Sequence, residues 1–164
     1  MKTILFCRHA KSSWSDPSQI DFNRPLNERG QRDAPFMAQL LREQHLPVDA
    51  IIASSAQRTR QTAAHYATGL GINTDKIIFD NNIYDATQGE LWTVIAGIDT
   101  RFQTVLLVGH NPGMGKMKHS FQPHESPYIP TCSIFQVQFE AVEWWECSAN
   151  NATVQAFWFP KMFV

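Results

Sequence analysis

Near its N-terminus the chain reads Ile4-Leu5-Phe6-Cys7-Arg8-His9, an apolar run that stops at an arginine and a histidine. The run is typical of a buried β-strand, which we expect over residues 3–8. Arginine presents a planar, permanently charged fork that suits phosphate oxygens. Histidine is a nitrogen nucleophile when neutral and a proton carrier near neutral pH. A strand end is a rigid support for reactive groups. Together with two later partners, described below, the pair suggests phosphoryl transfer through a histidine.

Strand and helix patterns alternate along most of the chain. We predict strands at 3–8, 50–53, 76–79, 104–108, 133–140 and 153–159, with helices at 28–44, 90–98 and 113–120 and one more after the second strand. This alternation indicates a parallel sheet with helices on both faces. The last two strands alternate like an antiparallel hairpin, which residues 143–147 could lengthen, and they make the sheet mixed. The expected fold is a three-layer α/β/α sandwich, in one domain over residues 1–164.

Local signals predict where two of the helices begin and end. Asn27 is a good N-cap for the first helix. Either Ser54 or Ser55 is expected to cap the second helix, which runs to about residue 68. Gly69 and Gly71 are expected to close that helix, since glycine favours the conformation at helix C-termini.

The amino-acid composition indicates which kinds of binding partner and which cell compartment to expect. The chain has 14 Lys+Arg and 15 Asp+Glu, so bulk charge argues against a nucleic-acid or membrane partner. No stretch is apolar enough over its length to span a membrane, and Arg8 ends the first apolar run too early for a signal peptide. Three cysteines, an odd number without framework spacing, favour free thiols and a cytoplasmic protein. Any anion must therefore be bound by a local cluster.

Such a cluster is predicted at one edge of the sheet. Ligands of open α/β sheets bind beyond the carboxyl ends of the strands. Arg8 and His9 follow the first strand, Arg58 follows the second, and His110 follows the fourth. Taken singly, Arg58 could be a surface residue of its helix and His110 a hydrogen-bonded core histidine. Together the four side chains favour a site for a small, doubly charged anion, and phosphate fits best.

These residue types suit a two-step displacement. A neutral His9 would attack phosphorus and become a phosphohistidine, which water would then hydrolyse. Arg8, Arg58 and a protonated His110 would hold the phosphoryl oxygens, whose charge must be stabilised in the transition state. The cationic side chains provide that charge, so we expect no metal and no cofactor. Lys11, close to the pair in sequence, is expected to add positive potential there.

The motifs also resemble a known family. Arg8-His9, residues 54–62 (SSAQRTRQT) and residues 108–112 (VGHNP) resemble the histidine phosphatase superfamily, which has the phosphoglycerate-mutase-like fold. Residues 8–14 (RHAKSSW) and 21–30 (DFNRPLNERG) are similar to its short branch, the SixA-type phosphohistidine phosphatases. The resemblance runs from about residue 1 to 115 and includes residues 130–132.

By this resemblance His9 is the nucleophile, while Arg8, Arg58 and His110 form the phosphate pocket. Further residues that the family pattern brings into the pocket are Arg24, which matches an arginine near the substrate, and Asn111. The resemblance also implies a six-stranded, mostly parallel sheet with one antiparallel strand.

The chain departs from the larger mutases of the family, which carry an acidic residue that protonates the leaving oxygen and long insertions that form a lid. Asp85 is the nearest candidate acid by its order in the chain, and little sequence is left over for a lid. An open pocket could admit a protein side chain, and a phosphoramidate bond breaks without a strong acid. Both points favour a protein phosphohistidine as substrate.

Two other functions stay open. The same site could act on small phosphate esters, or the chain could be a phosphate- or partner-binding module with little turnover. Two further mechanisms are excluded by spacing. A cysteine-dependent phosphatase needs an arginine six residues after its cysteine. None of the three cysteines meets this requirement: the residues six positions after Cys7, Cys132 and Cys147 are Ser13, Gln138 and Thr153. A nucleotide-binding P-loop ending at Gly115 and Lys116 would need a glycine where His110 stands.

Overall fold

The computed structural model describes residues 1–163. Its six strands are β1 (Lys2–Arg8), β2 (Ala50–Ala53), β3 (Ile78–Phe79), β4 (Thr104–Gly109), β5 (Ile134–Phe139) and β6 (Ala152–Trp158). They form one sheet in the order β3-β2-β4-β1-β5-β6. The strands β1 to β4 pair in parallel, whereas β5 is antiparallel to both of its neighbours, β1 and β6. The predicted mixed sheet with one antiparallel strand is confirmed.

Four helices cover the two faces of the sheet: α1 (Glu28–Glu43), α2 (Gln57–Leu70), α3 (Gln88–Ala96) and α4 (Gly113–Phe121). Strand β1 shows how the layers arise, because successive side chains of a strand point to opposite faces. Ile4 and Phe6 pack in a buried cluster that includes residues of α3 and α4. Leu5 and Cys7 pack in a second cluster with residues of α1 and α2. The sheet therefore lies between two helical layers, as predicted.

The start of α1 agrees with its sequence signal, but the start of α2 does not. The Asn27 side chain accepts a hydrogen bond from the Gly30 amide and caps α1. The N-cap of α2 is Ala56, which makes no side-chain capping bond, so the predicted serine cap is wrong. Ser54 lies two residues earlier and is fully buried, where its hydroxyl contacts His110 instead. The serine is thus part of the site at this edge.

The glycines at the end of α2 have different roles. Gly71 has φ 74°, a left-handed conformation that ends the helix and that glycine adopts without strain. Gly69 lies inside α2, and a Cβ there would come within 2.6 Å of the Ala38 Cβ on α1. Gly69 therefore allows the two helices to approach each other. The prediction that it closes the helix is wrong.

The segment between β5 and β6 forms two short 3-10 turns, Trp144–Glu146 and Ala149–Asn151. Residues 143–147 consequently do not extend β5. Trp144 is buried and its indole N–H donates to the carbonyl oxygens of Asp99 and Phe102, each at 3.1 Å. This contact fastens the turn to the chain before β4. No helix within residues 1–163 is both long enough and apolar enough to cross a bilayer.

Candidate active site

A cavity of about 440 Å³ opens at the carboxyl ends of β1, β2 and β4. All eight residues that the sequence singled out line this cavity, together with five others. The lining consists of Arg8, His9, Lys11, Ser12, Trp14, Asp21, Arg24, Arg58, Tyr84, Asp85, His110, Asn111 and Thr131. The parallel strands β1 and β4 are adjacent, so His9 and His110 come together although 100 residues separate them in the chain.

His9 is held as a neutral ring in one tautomer. The residue is 7% exposed, and its Nδ1 lies 2.7 Å from the Ala10 carbonyl oxygen, which can only accept a hydrogen bond. The proton is therefore on Nδ1, which leaves the lone pair of the neutral ring on Nε2. Burial, assisted by the nearby charges of Arg58 and Arg8, lowers the pKa of His9 well below its ordinary value. The ring is neutral at pH 7 and can act as a nucleophile.

His110 lies beside it, with 5.3 Å between the centroids of the two rings. The His110 Nε2 is 2.7 Å from the Ser54 Oγ, and that oxygen accepts a hydrogen bond from the Ala56 amide at 3.3 Å. The serine hydrogen can bond to Nε2, and in that arrangement the ring proton is on Nδ1. This Nδ1 is buried and has no hydrogen-bond partner within residues 1–163.

The structure corrects the expected charge of His110. We expected a protonated ring, but burial, together with the charge of Arg58, lowers the pKa of His110 to about 3. The ring is neutral at pH 7 in this structure. A neutral imidazole still donates from Nδ1, so His110 can bind an anion by a hydrogen bond rather than by its charge.

Three arginines and a lysine supply the positive charge of the cavity. The Arg8 Nη1 donates to the Ile129 carbonyl oxygen at 2.8 Å, while its Nε is buried and unpartnered among residues 1–163. Arg24 donates to the Ser12 Oγ at 2.7 Å. With Arg58 and Lys11, four basic side chains face two carboxylates across the cavity. The excess of two positive charges matches a phosphate dianion.

The Asp21 carboxylate pairs with two of the arginines, and the sequence did not identify it as a residue of the site. Its Oδ1 accepts from the Arg24 Nε at 3.1 Å and Nη2 at 3.0 Å, and its Oδ2 accepts from the Arg58 Nη2 at 3.0 Å. The Tyr84 hydroxyl donates to the same Oδ2 at 2.6 Å. Burial opposes ionisation of this carboxyl, but the bonds from Tyr84, Arg24 and Arg58 outweigh it and hold the pKa of Asp21 well below its usual range. A sequence signal for this ion pair is the spacing of Asp21 and Arg24, which lie three residues apart.

The remaining predicted residues have weaker connections to the cavity. The Asn111 side chain is bonded to backbone, donating to the Ile129 carbonyl oxygen at 3.2 Å and accepting from the Gly115 amide at 3.2 Å. Lys11 is half-buried at the wall. Asp85 is exposed at the rim, with φ 54°. The structure thus brings Asp85 to the cavity, where the sequence could not place it.

Comparisons with known proteins identify the family of this chain. The family model of the histidine phosphatase superfamily (branch 1) matches residues 4–91, which is more than half of the chain. An uncharacterised protein of Mycobacterium tuberculosis (strain CDC 1551) is 37% identical over 105 residues, which cover 64% of this chain and 63% of that protein. The match therefore spans less than two thirds of the length of that relative.

Two solved structures are similar over nearly their whole length. A provisionally assigned phosphohistidine phosphatase SixA from Agrobacterium tumefaciens is 28% identical, with a TM-score of 0.78 and coverage of 97% of this chain and 98% of that one. A protein histidine phosphatase SixA in complex with tungstate is 19% identical, with a TM-score of 0.82 and coverage of 99% of both chains, and it shows the shared fold. The predicted resemblance to SixA proteins is confirmed. On the family match, the order of its motifs and its fold, this chain belongs to the histidine phosphatase superfamily.

Proposed function

We propose that the chain is a phosphatase that forms a phosphohistidine on His9. The observation that carries the proposal is the state of His9, a buried neutral ring with its proton held on Nδ1 by the Ala10 carbonyl oxygen at 2.7 Å. In the first step the Nε2 lone pair bonds to phosphorus, and the bond from phosphorus to the leaving group breaks. Water then attacks phosphorus, and the bond from phosphorus to Nε2 breaks.

The other polar groups stabilise the phosphoryl oxygens during both steps. Arg8 and Arg58 carry permanent charge at the cavity. In the proposal the His110 Nδ1, which has no hydrogen-bond partner within residues 1–163, donates to the phosphoryl group. Positive charge and hydrogen-bond donors around the phosphoryl group lower the barrier to displacement at phosphorus. Arg24, Lys11 and the side chain of Asn111 bind substrate in the proposal. Because these groups provide the charge, the reaction proceeds without a metal, and activity is expected to be unchanged in a chelator.

The proposed substrate is a phosphohistidine on a protein. Its leaving group is an imidazole, which departs more readily than an alkoxide and needs no strong general acid to protonate it. Asp85, the candidate acid, lies exposed at the rim and could assist a poorer leaving group. Trp14 and Tyr128 near the opening are 72% and 67% exposed, which supports contact with a protein surface. Three free, buried cysteines support our further proposal of a cytoplasmic location.

A substrate comparison tests this function. We expect the wild-type protein to release phosphate from a protein phosphorylated on histidine with a kcat/KM about 100-fold above that for p-nitrophenyl phosphate or phosphoserine. His9→Ala is expected to lower kcat at least about 1,000-fold, since the nucleophile is lost. His124→Ala changes an exposed histidine outside the cavity and serves as the matched control.

Three outcomes would redirect the proposal. Faster hydrolysis of the small esters would favour the alternative substrate class at the same site. Tungstate binding without turnover of any of these substrates would indicate a binding module. Full activity in His9→Ala would contradict the mechanism outright.

A further inference from the structure

Arg58 is fully engaged in this structure, and its engagement covers the nucleophile. Its Nη1 donates to the Asp21 carbonyl oxygen at 2.7 Å, and its Nη2 donates to the Asp21 Oδ2 at 3.0 Å. Its Nε donates to the His9 Nε2 at 3.4 Å. All three nitrogens of the guanidinium therefore have a partner. The lone pair of His9 that would attack phosphorus accepts a hydrogen bond from the same arginine.

The Asp21 carboxylate occupies the position of an anion between two guanidinium groups. One oxygen bonds to Arg24 and the other bonds to Arg58 and to the Tyr84 hydroxyl. A phosphoryl group offers oxygens of the same kind to the same donors. The Asp21 side chain is 47% exposed and belongs to the short 3-10 turn Asp21–Asn23. It can leave the arginines toward solvent without opening the core.

We propose that the Asp21 carboxylate occupies the anion position in the free protein and holds Arg58 over His9. The phosphoryl group of the substrate then displaces this carboxylate from Arg58. This inference rests on the proposed function of the site. When phosphoryl oxygens take over the bonds from Arg58, the Asp21 carboxylate moves away and the guanidinium leaves the Nε2 lone pair. His9 is then free to attack phosphorus. After hydrolysis Asp21 returns to the arginines and competes with inorganic phosphate, which promotes its release.

The sign of one substitution separates this role from a merely structural one. Asp21→Asn keeps the shape of the side chain and removes its charge. If Asp21 competes with phosphate, loss of that charge must tighten anion binding, since like charges at a few ångströms repel strongly in a partly buried site. If Asp21 only supports the pocket, the same substitution disorders the arginines and weakens anion binding.

The test is the affinity of the purified protein for tungstate and for inorganic phosphate, measured by titration calorimetry. Asp21→Asn is expected to bind both anions about tenfold more tightly than the wild type. Asp16→Asn is the matched control, because Asp16 lies in the same loop, is bonded to Ser18 and has no arginine partner among residues 1–163. It is expected to change the affinity less than about twofold. Equal or weaker binding in Asp21→Asn overturns the inference.

A measurement on the wild type covers the case in which Asp21→Asn does not fold. In a crystal structure with tungstate bound, the Asp21 Oδ2 is expected to lie more than about 4 Å from the Arg58 Nη2, beyond ion-pair distance. Persistence of this contact, which is 3.0 Å here, with the anion bound contradicts the inference.

The two proposals can fail separately. Hydrolysis of phosphohistidine through His9 with no change of anion affinity in Asp21→Asn would remove this inference alone. Tighter anion binding in Asp21→Asn without any turnover would remove the enzymatic function and leave the role of Asp21 in place.

Discussion

Single hydrogen bonds fix the chemistry of the two histidines. The Ala10 carbonyl oxygen determines which nitrogen of His9 carries the proton. The Ser54 hydroxyl lies 2.7 Å from the His110 Nε2, and it has the corresponding role for His110 when it donates its hydrogen to that nitrogen. The sequence predicts both histidines because each follows a strand directly. It does not predict Ser54, because a serine before a helix more often caps that helix.

Ser54→Ala tests the role of this hydroxyl. Without it, His110 is no longer held with its proton on Nδ1, so we expect kcat to fall about tenfold, equivalent to about 1.4 kcal/mol. The ¹⁵N chemical shifts of the His110 ring are expected to change from one tautomer to a mixture. Ser55→Ala is the matched control at the neighbouring position. An unchanged tautomer in Ser54→Ala would show that another group orients the ring.

Asp21 and Tyr84 illustrate the residues that sequence reasoning could not assign to the site. Each lies in or next to a short 3-10 turn, Asp21–Asn23 or Asn81–Ile83, and neither follows a strand. Their positions depend on how long loops fold over the sheet, which has no simple periodic signal. Arg58 and His110 could be assigned because the sheet itself determines where strand ends meet.

At the scale of elements, α1 and α2 hold the segment that follows His9. The Lys11 carbonyl oxygen accepts from the Asn27 amide at 3.0 Å, and the Ala10 amide donates to the Thr62 Oγ1 at 3.0 Å. Gly30 packs directly on Lys11, where an added Cβ would lie 2.2 Å from the carbonyl oxygen. The first turn of α1 therefore fixes the backbone beside His9.

Gly30→Ala is expected to destabilise the protein by about 2–3 kcal/mol, because the methyl group cannot fit without moving backbone. The melting temperature, followed by circular dichroism, should fall by roughly 2–4 °C for each kcal/mol. The shift of Lys11 should also lower kcat. Gly89→Ala is the control, since a Cβ at that position in α3 meets no atom closer than 4.0 Å. Equal melting temperatures for the two variants would contradict the tight packing.

The elements that position the site were the most predictable. Strand β2 is found at Ala50–Ala53, as predicted, and β4 extends one residue past its predicted end, to Gly109. Both are uninterrupted apolar runs that are buried along their length, a strong signal for a central parallel strand. The edge strand β3 keeps only Ile78 and Phe79 of a predicted four residues, and both are exposed. An edge strand has fewer packing contacts to fix its ends.

For the whole molecule, charge is nearly balanced while the cavity is positive. The net charge is −1 at pH 7, yet four of the 14 basic residues line one cavity with two carboxylates. The near-zero net charge means that an anion is not held by the overall charge of the protein. The sheet topology instead brings the four basic side chains together at one cavity. The assignment of residues 1–164 to one domain stays a prediction.

Two buried neutral histidines make stability depend on pH. The folded-state pKa values of His9 and His110 lie below the ordinary value of 6.5. The unfolded chain therefore binds more protons as the pH falls, and stability decreases below about pH 6.5. With a folded-state pKa of about 3 for His110, the loss from this residue at pH 5 is about 2 kcal/mol.

Thermal unfolding at pH 7.5 and at pH 5 checks this dependence. We expect a clear fall in melting temperature for the wild type and a smaller fall for the double variant His9→Asn/His110→Asn, which has lost both titrating rings. A wild-type melting temperature that does not change between these pH values would contradict the neutral, buried state of the histidines.

Trapping the phosphorylated protein tests the role of His9 directly. Wild-type protein is mixed with a ³²P-labelled phosphohistidine protein, quenched in base within milliseconds, digested and mapped by mass spectrometry. The expected label lies on His9 alone, survives base, is released by acid and is absent from His9→Ala. A label on another residue, or continued turnover by His9→Ala with no label at all, would show that His9 is not the nucleophile.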